Sequence, residues 1–379
     1  MESFLKNQVT SFTAPKRILM GPGPTEIHPR VLATMSQPAI GYLDPVFVTM
    51  MEEIKSLLRY TFQTTNEMTF PLSGPGSVGM EFCFVNMVAP GDKVIVCRNG
   101  VFGGRMVENV LRCGGVPVIL DFDWGKPVDP NVVEEAFKAN PDASILAFVH
   151  AETSTGVRSE AKQLAEIAHR YGALTIVDAV TSLAGIPVLV DEWKLDAVYS
   201  ATQKCLSCTP GLSPVTINQA VIDRVKARQG RIQSWFMDMN LLLGYWGEGT
   251  RTYHHTAPTN GLFALHEALV LIQEETLENV WDRHYRIHRE LKDSLTDMGL
   301  KFLVEDEYQL PEMNAIVCPE GIDEAAVRRR LLNEFGLEIG AGLGPLAGKI
   351  WRIGTMGYSA RTDNVIACTQ ALKTVLGKA

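Results

Sequence analysis

Two hydrophobic patterns alternate along the first two thirds of the chain. Apolar residues recur at helical spacing in several segments, for example at residues 51–61 and 164–168. Near-continuous apolar runs of strand length, typical of buried parallel strands, occur at residues 94–97, 145–150, 173–180 and 195–200. This alternation predicts an α/β fold with a mostly parallel central sheet and helices on both faces. In such sheets, ligands bind outside the carboxyl ends of the strands.

The hydrophobic pattern changes after Pro258. Helical spacing at residues 262–272 and 281–295 is followed by a predicted strand, a helix and a second strand; these lie at residues 313–317, 324–335 and 350–353. We therefore expect an N-terminal arm of residues 1–16, a large domain of residues 17–259 and a smaller α+β domain of residues 260–379.

Lys204 is the first candidate for chemistry, because it follows the apolar run at 195–200 among small and polar residues. A turn signal at 209–211 ends this element quickly. A lysine held at a strand end can be desolvated, which lowers its pKa and leaves the neutral amine that forms Schiff bases. Most lysines are surface residues, so this stretch alone leaves a solvated side chain as the alternative.

Asp178 strengthens the case for Lys204. It lies near the carboxyl end of the apolar run at 173–180, and a buried carboxylate is costly unless a cation faces it. A pyridinium nitrogen is such a cation, and pyridoxal phosphate enzymes combine a Schiff-base lysine with an aspartate on that nitrogen. The two residues together predict a pyridoxal phosphate site.

Three glycine-rich segments accompany these strands. Residues 72–77 lead into a predicted helix with Ser77 as its N-cap, an end suited to a phosphate. Residues 99–103 are predicted to be a loop, in which Phe102 is either a packed aromatic residue or a lid on a flat ring. The Gly-Pro segment at 21–24 must be a fixed loop, either a rigid turn or a surface that faces the substrate.

Composition excludes several classes of protein. The 379 residues are 46% hydrophobic and 21% charged, as in ordinary globular proteins. The net charge of -8 gives no support for nucleic-acid binding, and no apolar run is long enough to span a membrane. Seven cysteines do not suggest a disulfide framework. Because secretory and peroxisomal signals are also missing from the two ends, we expect a cytoplasmic protein.

Two short motifs offer other interpretations. His254 and His255 are adjacent but lack the spacing of a zinc site, which favours a hydrogen-bonded pair over metal ligands, and we predict no metal. Cys205 and Cys208 form a single CxxC, which leaves open a non-enzymatic thiol or metal-binding protein. The glycines at 340–344 precede a predicted strand. A dinucleotide-binding loop would have to precede a helix, so this interpretation is excluded.

The chain resembles the fold-type I pyridoxal phosphate enzymes. More closely, it is similar to the class V aminotransferases of the alanine–glyoxylate and serine–pyruvate type. The resemblance runs nearly end to end, from the Met-Gly-Pro-Gly-Pro segment at 20–24 to Arg-Ile-Gly at 352–354. Its more specific motifs are Ser-x-x-Gln-Lys at 200–204 and Tyr-His-His-Thr at 253–256.

The resemblance implies roles for individual residues. Lys204 would hold the cofactor as a Schiff base and Asp178 would pair with the pyridinium, making these two the catalytic residues. Further cofactor contacts would come from Ser73, Gly76, Ser77, Phe102, Thr153, Val180, Gln203, Tyr253 and Thr256. Of these, Tyr253 and Thr256 would reach the cofactor of a neighbouring subunit, which implies a homodimer with shared sites. The substrate would meet Gly23, Tyr42, Thr153 and Arg352, with Arg352 on the α-carboxylate.

The expected activity is a ping-pong transfer of an amino group from a small amino acid, alanine or serine, to glyoxylate or pyruvate. Two departures from the family leave the donor open: Phe102 stands where animal enzymes often have tryptophan, and Tyr42 where many relatives have histidine. A cysteine desulfurase shares the fold, but it needs a nucleophilic cysteine near Arg352. The absence of cysteine between Cys318 and Cys368 argues against that alternative.

Overall fold

A computed structural model describes residues 9–247 and 251–377. The helices are α1 (Pro29–Thr34), α2 (Pro45–Phe62), α3 (Gly76–Met87), α4 (Val101–Arg112), α5 (Pro130–Ala139), α6 (Ala161–Arg170), α7 (Val190–Trp193), α8 (Gln219–Ala227), α9 (Met239–Trp246), α10 (Thr259–Glu275), α11 (Leu277–Asp297), α12 (Glu324–Phe335) and α13 (Thr362–Leu376). The strands are β1 (Ile18–Leu19), β2 (Met68–Ser73), β3 (Lys93–Arg98), β4 (Val116–Asp121), β5 (Ala143–Val149), β6 (Ala151–Glu152), β7 (Val157–Arg158), β8 (Leu174–Asp178), β9 (Ala197–Tyr199), β10 (Leu212–Ile217), β11 (Lys301–Phe302), β12 (Met313–Val317), β13 (Leu337–Glu338), β14 (Gly340–Ala341) and β15 (Ile350–Gly354).

A seven-stranded sheet with the order β2-β10-β9-β8-β5-β3-β4 forms the centre of the molecule. The strands from β9 to β4 pair in parallel, whereas β10 is antiparallel to both of its neighbours. The predicted α/β fold with a mostly parallel sheet is therefore confirmed. Sequence analysis missed β10, because proline is rare inside central strands and Pro214 lies in its middle, opposite Pro71 of β2.

Most of the predicted elements are present, and β12 and α12 match their predicted ranges residue for residue. Two predictions, one of a helix N-cap and one of a loop, were wrong. Helix α3 begins at Gly76 with Pro75 as its N-cap and no side-chain cap, so Ser77 lies inside the first turn and does not cap it. Helix α4 begins at Val101 and takes in most of the predicted loop at 99–103. Glycine is needed at position 103 of α4, because a Cβ there would lie only 2.7 Å from the carbonyl oxygen of Cys97.

The buried hydrophobic side chains of the described residues form two clusters. The larger one surrounds the seven-stranded sheet, and the smaller one packs α11, α12 and α13 against a four-stranded sheet of order β11-β12-β15-β14. Met20 belongs to the smaller cluster, since β1 pairs with β13. The buried side chains of α10 belong to the larger cluster although the helix follows the expected boundary at 259/260. The predicted domain limits thus stay a prediction. None of the described helices is both long and apolar enough to cross a bilayer.

A buried acid lies where the two sheets approach each other. Glu312, which directly precedes β12, is fully buried, and among the described residues neither of its carboxyl oxygens has a hydrogen-bond partner. Its carboxyl carbon lies so close to Gly185, next to the larger cluster, that a Cβ there would be 3.2 Å away. Burial raises the pKa of Glu312 to about 8, although the charge of Arg158 opposes the rise. At neutral pH this side chain is therefore mainly protonated.

The pKa of Glu312 predicts how stability depends on pH. The folded protein keeps this proton up to about pH 8, whereas the unfolded chain releases it near the ordinary glutamate pKa. Stability should therefore fall as pH rises between these values, by several kcal/mol. Glu312→Gln mimics the protonated acid, so its melting temperature should match wild type at about pH 4, below the ordinary glutamate pKa, and exceed it at pH 8. The exposed Glu320→Gln controls for net charge. A Glu312→Gln effect that is the same at both pH values would contradict this prediction.

Candidate active site

Lys204 lies just beyond the end of β9 and is 8% exposed. Its amine donates a hydrogen bond to the carbonyl oxygen of Pro22. The following Gly23 has a φ of +102°, and a Cβ there would lie 2.9 Å from the Lys204 amine. The backbone N–H of Thr25 also donates to the Gln203 carbonyl oxygen at 3.1 Å. The Gly-Pro loop thus packs directly on Lys204, which favours its interpretation as a substrate-facing loop.

The surroundings of Lys204 favour a neutral amine. Burial, and then the positive charge of Arg352, lower the pKa of Lys204 to about 8. Asp178 and Glu152 oppose this effect with their negative charge. A useful fraction of the amine is therefore unprotonated near neutral pH, as a Schiff-base lysine requires.

Asp178 is the last residue of β8, which pairs with β9, the strand that precedes Lys204. The sheet register pairs it with Val149 of β5 and with Tyr199 of β9. One carboxylate oxygen accepts the Val180 N–H at 2.8 Å, and the other accepts the Tyr199 hydroxyl at 2.9 Å. Burial raises the pKa of Asp178 to about 7, while these two hydrogen bonds oppose the rise. A cation beside this carboxylate would keep it ionised.

Sequence analysis missed Tyr199 as a partner of Asp178. Tyr199 is completely buried in a strand that reads as apolar. Only the register between β8 and β9 reveals that its hydroxyl meets the carboxylate, so no signal in a single sequence could have found it.

The start of α3 packs on the segment that carries Lys204. A Cβ at Gly76 would lie 2.8 Å from the Cβ of Ala201 and 3.3 Å from a methyl group of Val180. Because no side chain caps α3, its first N–H groups and its dipole can serve an anion, with Ser77 in the same turn. The side-chain amide oxygen of Gln203 is buried and has no partner among the described residues. Because this oxygen is an acceptor, only the NH2 group of the same amide could donate to an anion. These features suit a bound phosphate.

Arg352 reaches the site from β15 of the smaller sheet and is 7% exposed. Its Nε donates to the Ala341 carbonyl oxygen at 2.7 Å, and its Nη1 donates to the Thr153 carbonyl oxygen at 3.2 Å. Burial lowers the pKa of Arg352 to about 10, so the guanidinium stays charged at neutral pH. The Thr153 hydroxyl lies against the hydroxyl of Thr181. These contacts place a positive charge beside Thr153.

Phe102 lies in the first turn of α4, half-buried, with the guanidinium carbon of Arg105 4.9 Å from its ring centre. Its backbone N–H donates to the carboxylate of Glu152 at 3.2 Å. Glu152 is fully buried, and sequence analysis passed over it as part of the polar end of a strand. Its hydrogen bonds to a separate helix could be found only from the packing of α4.

A second group of predicted residues lies on an exposed face. The rings of Tyr42 and Tyr253 are 5.3 Å apart, and the hydroxyls of Tyr253 and Thr256 are 3.3 Å apart. Tyr253 is 59% exposed. The contacts of Lys204, Asp178 and Arg352 described above do not include these three residues. Ser73 ties this segment to the start of α3, since its hydroxyl lies 2.7 Å from the Nε2 of His255.

The histidine and cysteine pairs have separate surroundings. The Nδ1 atoms of His254 and His255 are 2.8 Å apart, so the predicted hydrogen-bonded pair is confirmed. The Cys205 thiol donates to the Thr181 carbonyl oxygen at 3.3 Å, and burial raises the pKa of Cys208 to about 11. Both thiols are thus poor nucleophiles. In the part of the chain that the structure describes, no three His, Cys, Asp or Glu side chains form a metal-binding group.

Comparison with known proteins identifies the family. The model of the family described as Aminotransferase class-V matches residues 20–350. The (S)-ureidoglycine–glyoxylate transaminase of Bacillus subtilis is 40% identical over 96% of this chain and 91% of its own. The alanine–glyoxylate aminotransferase of Mus musculus is 38% identical over 96% of this chain and 88% of its own.

Solved structures agree with these relatives. The alanine–glyoxylate aminotransferase of Nostoc sp. has a TM-score of 0.96 and 44% identity, with 98% of both chains covered. A cysteine desulfurase from Thermococcus onnurineus, with a TM-score of 0.75 and 14% identity over 95% of both chains, shares the fold alone. The chain therefore has the fold-type I architecture and belongs to the class-V aminotransferases, which are pyridoxal phosphate enzymes.

Proposed function

We propose that this protein transfers the amino group of a small neutral amino acid, such as alanine or serine, to glyoxylate or pyruvate. The observation that carries the proposal is the buried amine of Lys204, which shares its surroundings with the Asp178 carboxylate and the Arg352 guanidinium. Both relatives described above, and the Nostoc enzyme, are named for glyoxylate, which supports this acceptor.

The residues present fit pyridoxal phosphate. Lys204 would bind it covalently, and Asp178 would pair with its ring nitrogen. The start of α3, with Gly76 and Ser77, would hold its phosphate, and the NH2 group of the Gln203 amide would donate to it. The remaining cofactor contacts of this chain would come from Ser73, Phe102, Thr153 and Val180. When bound, the cofactor supplies an electron sink for the bond that breaks at the substrate α-carbon.

The chain's own residues then position the substrate and move protons. Arg352 orients the α-carboxylate, because its guanidinium is already fixed by the carbonyls of Ala341 and Thr153. Lys204 would be released from the cofactor when the substrate amine replaces it, and its neutral Nζ would then accept the proton of the α-carbon, a role helped by the burial that lowers its pKa. Asp178 keeps the proton on the ring nitrogen through its negative charge.

Tyr253 and Thr256, with Tyr42 beside them, are proposed to complete the site of a neighbouring subunit. Their exposure supports a homodimer with shared sites, as does Trp235, which is 64% exposed and stacks on His254 at 4.6 Å. Exposed aromatic side chains of this kind are common at protein interfaces. We also propose a cytoplasmic enzyme, because the seven cysteines are free.

Removing the charge of Asp178 tests its proposed role. Asp178→Asn should weaken binding of pyridoxal phosphate and slow the amino-acid half-reaction by orders of magnitude, because the electron sink is lost. Tyr199→Phe removes one hydrogen bond to the same carboxylate and should have a much smaller effect. Stopped-flow spectroscopy measures the half-reaction, and the melting temperature of the cofactor-free protein checks folding. Near wild-type turnover by a folded Asp178→Asn would remove Asp178 from its role.

The choice of donor tests the proposed substrate class. Arg352 is the cation proposed for the α-carboxylate. Two other arginines could supply a second positive charge: Arg251, whose side chain is 7% exposed and pairs with Glu52, and Arg105, which lies over the Phe102 ring. An unpaired side-chain carboxylate in the site would be costly, so alanine and serine should exceed glutamate and aspartate by about a hundredfold in kcat/KM. A donor panel with glyoxylate and pyruvate as acceptors measures this ratio and includes (S)-ureidoglycine.

Two variants sharpen the donor panel. Arg352→Lys should depress all donors alike, because the α-carboxylate is common to each. Arg105→Gln tests whether Arg105 supplies a second positive charge, and it should leave the ranking of donors unchanged. Aspartate or glutamate that matches alanine would show that a second cation exists, and loss of that activity in Arg105→Gln would identify it.

A further inference from the structure

Glu152 is a fully buried carboxylate that lies between two segments of the site. It ends β6 and directly precedes Thr153, whose carbonyl oxygen accepts from Arg352. Its side chain extends away from this strand to the start of α4, the helix that carries Phe102. Nothing in the proposed transfer of the amino group uses this carboxylate directly.

The carboxylate of Glu152 caps α4 from outside the helix. One oxygen accepts the N–H groups of Phe102 and Gly103, at 3.2 and 3.4 Å. The other accepts the N–H and the hydroxyl of Ser154, at 3.1 and 2.6 Å. The same Ser154 hydroxyl accepts the N–H of Val101 at 3.0 Å. The first three N–H groups of α4 are thus all satisfied by Glu152 and Ser154.

The chain leaves room for this arrangement at Gly100. This residue is the N-cap of α4 and offers no side chain to it. A Cβ at Gly100 would overlap with the carboxyl group of Glu152 and lie 2.5 Å from the Ser154 hydroxyl oxygen. Any larger residue would push α4 away from Glu152, so the cap depends on glycine here.

Hydrogen bonding and the helix dipole favour the ionised form of Glu152. Burial raises the pKa of Glu152 above its ordinary value, although the four hydrogen bonds from Ser154, Gly103 and Phe102 oppose this rise. A protonated carboxyl would turn its own hydrogen towards one of these donors. The positive end of the α4 dipole also stabilises a negative charge at this position.

We propose that Glu152 is a positioning residue, whose carboxylate fixes the first turn of α4, and with it the Phe102 ring, relative to Thr153. The inference rests on the proposed function, in which Phe102 and Thr153 both contact the cofactor. Glu152 acts through these neighbours and does not itself touch the reacting atoms.

A double-mutant cycle tests this proposal. Pyridoxal phosphate affinity is measured by equilibrium titration of the cofactor-free protein for wild type, Glu152→Gln, Phe102→Ala and the double variant. In Glu152→Gln only one acceptor oxygen remains, so the NH2 group would face donors either at α4 or at Ser154 and the hydrogen bonds on that side would be lost. Each single variant should weaken binding by about tenfold, while the double variant should be little weaker than the poorer single variant, since the two residues act as one unit. The visible circular dichroism of the bound cofactor should also decrease in Glu152→Gln.

Two controls separate this effect from general destabilisation. Glu166→Gln, on the exposed side of α6, should leave cofactor affinity and dichroism unchanged. If Glu152→Gln does not fold, Ser154→Ala replaces it in the cycle, because it loses the bonds to Val101 and Glu152 but keeps the carboxylate. Non-additivity with Phe102→Ala is expected there too.

The possible outcomes are distinguishable. One outcome is that Phe102→Ala weakens binding and that Glu152→Gln weakens it by the same factor in wild type and in Phe102→Ala. The two residues would then act independently, so the inference would be overturned while the proposed site stands. A folded Glu152→Gln that binds pyridoxal phosphate as tightly as wild type would likewise overturn the inference and leave the proposed site intact. Wild-type affinity in Phe102→Ala would overturn both the cofactor contact of Phe102 and the inference, but it would leave the donor panel and the role of Asp178 to be judged separately.

Discussion

An ammonium ion that leaves water loses most of its hydration, and this cost governs the surroundings of Lys204. The protein offsets it in part with the carbonyl oxygen of Pro22 and with the negative charges of Asp178 and Glu152. Arg352 acts in the opposite direction and lowers the pKa of the amine further. As a result, the pKa of Lys204 is about 8. Part of the amine is therefore neutral and reactive near neutral pH.

The sheet supplies the geometry for this balance. Parallel pairing of β5, β8 and β9 brings their carboxyl ends to one edge. This places Asp178 beside Tyr199, which ends β9 shortly before Lys204. The smaller sheet contributes Arg352, whose bond to Thr153 crosses between the two hydrophobic clusters. Glu152 adds a third connection, from this edge to α4. The same residues that shape the site therefore also join separate parts of the fold.

The sequence predicts the parts of this site that are local. Lys204 and Asp178 follow apolar runs, so their position at the carboxyl edge follows from strand periodicity alone. Arg352, Tyr253 and Thr256 entered only through resemblance to a family, because nothing in their own segments connects them with the cofactor. Tyr199 and Glu152 depend on strand register and on helix packing, and these are set by contacts between distant segments. The errors at Ser77 and at the start of α4 share one cause, since glycine was interpreted as loop where it permits close packing.

Titration of Lys204 in the cofactor-free protein would measure directly whether its surroundings favour the neutral amine. Reductive methylation over a range of pH, with the modified peptide quantified by mass spectrometry, gives the pKa of Lys204 alone. The inflection should lie near pH 8, and at a higher pH in Arg352→Gln, because a positive neighbour is removed. An inflection near the ordinary lysine value of 10.5 would contradict this expectation, since the amine would then be an unperturbed cation without the properties on which the site depends.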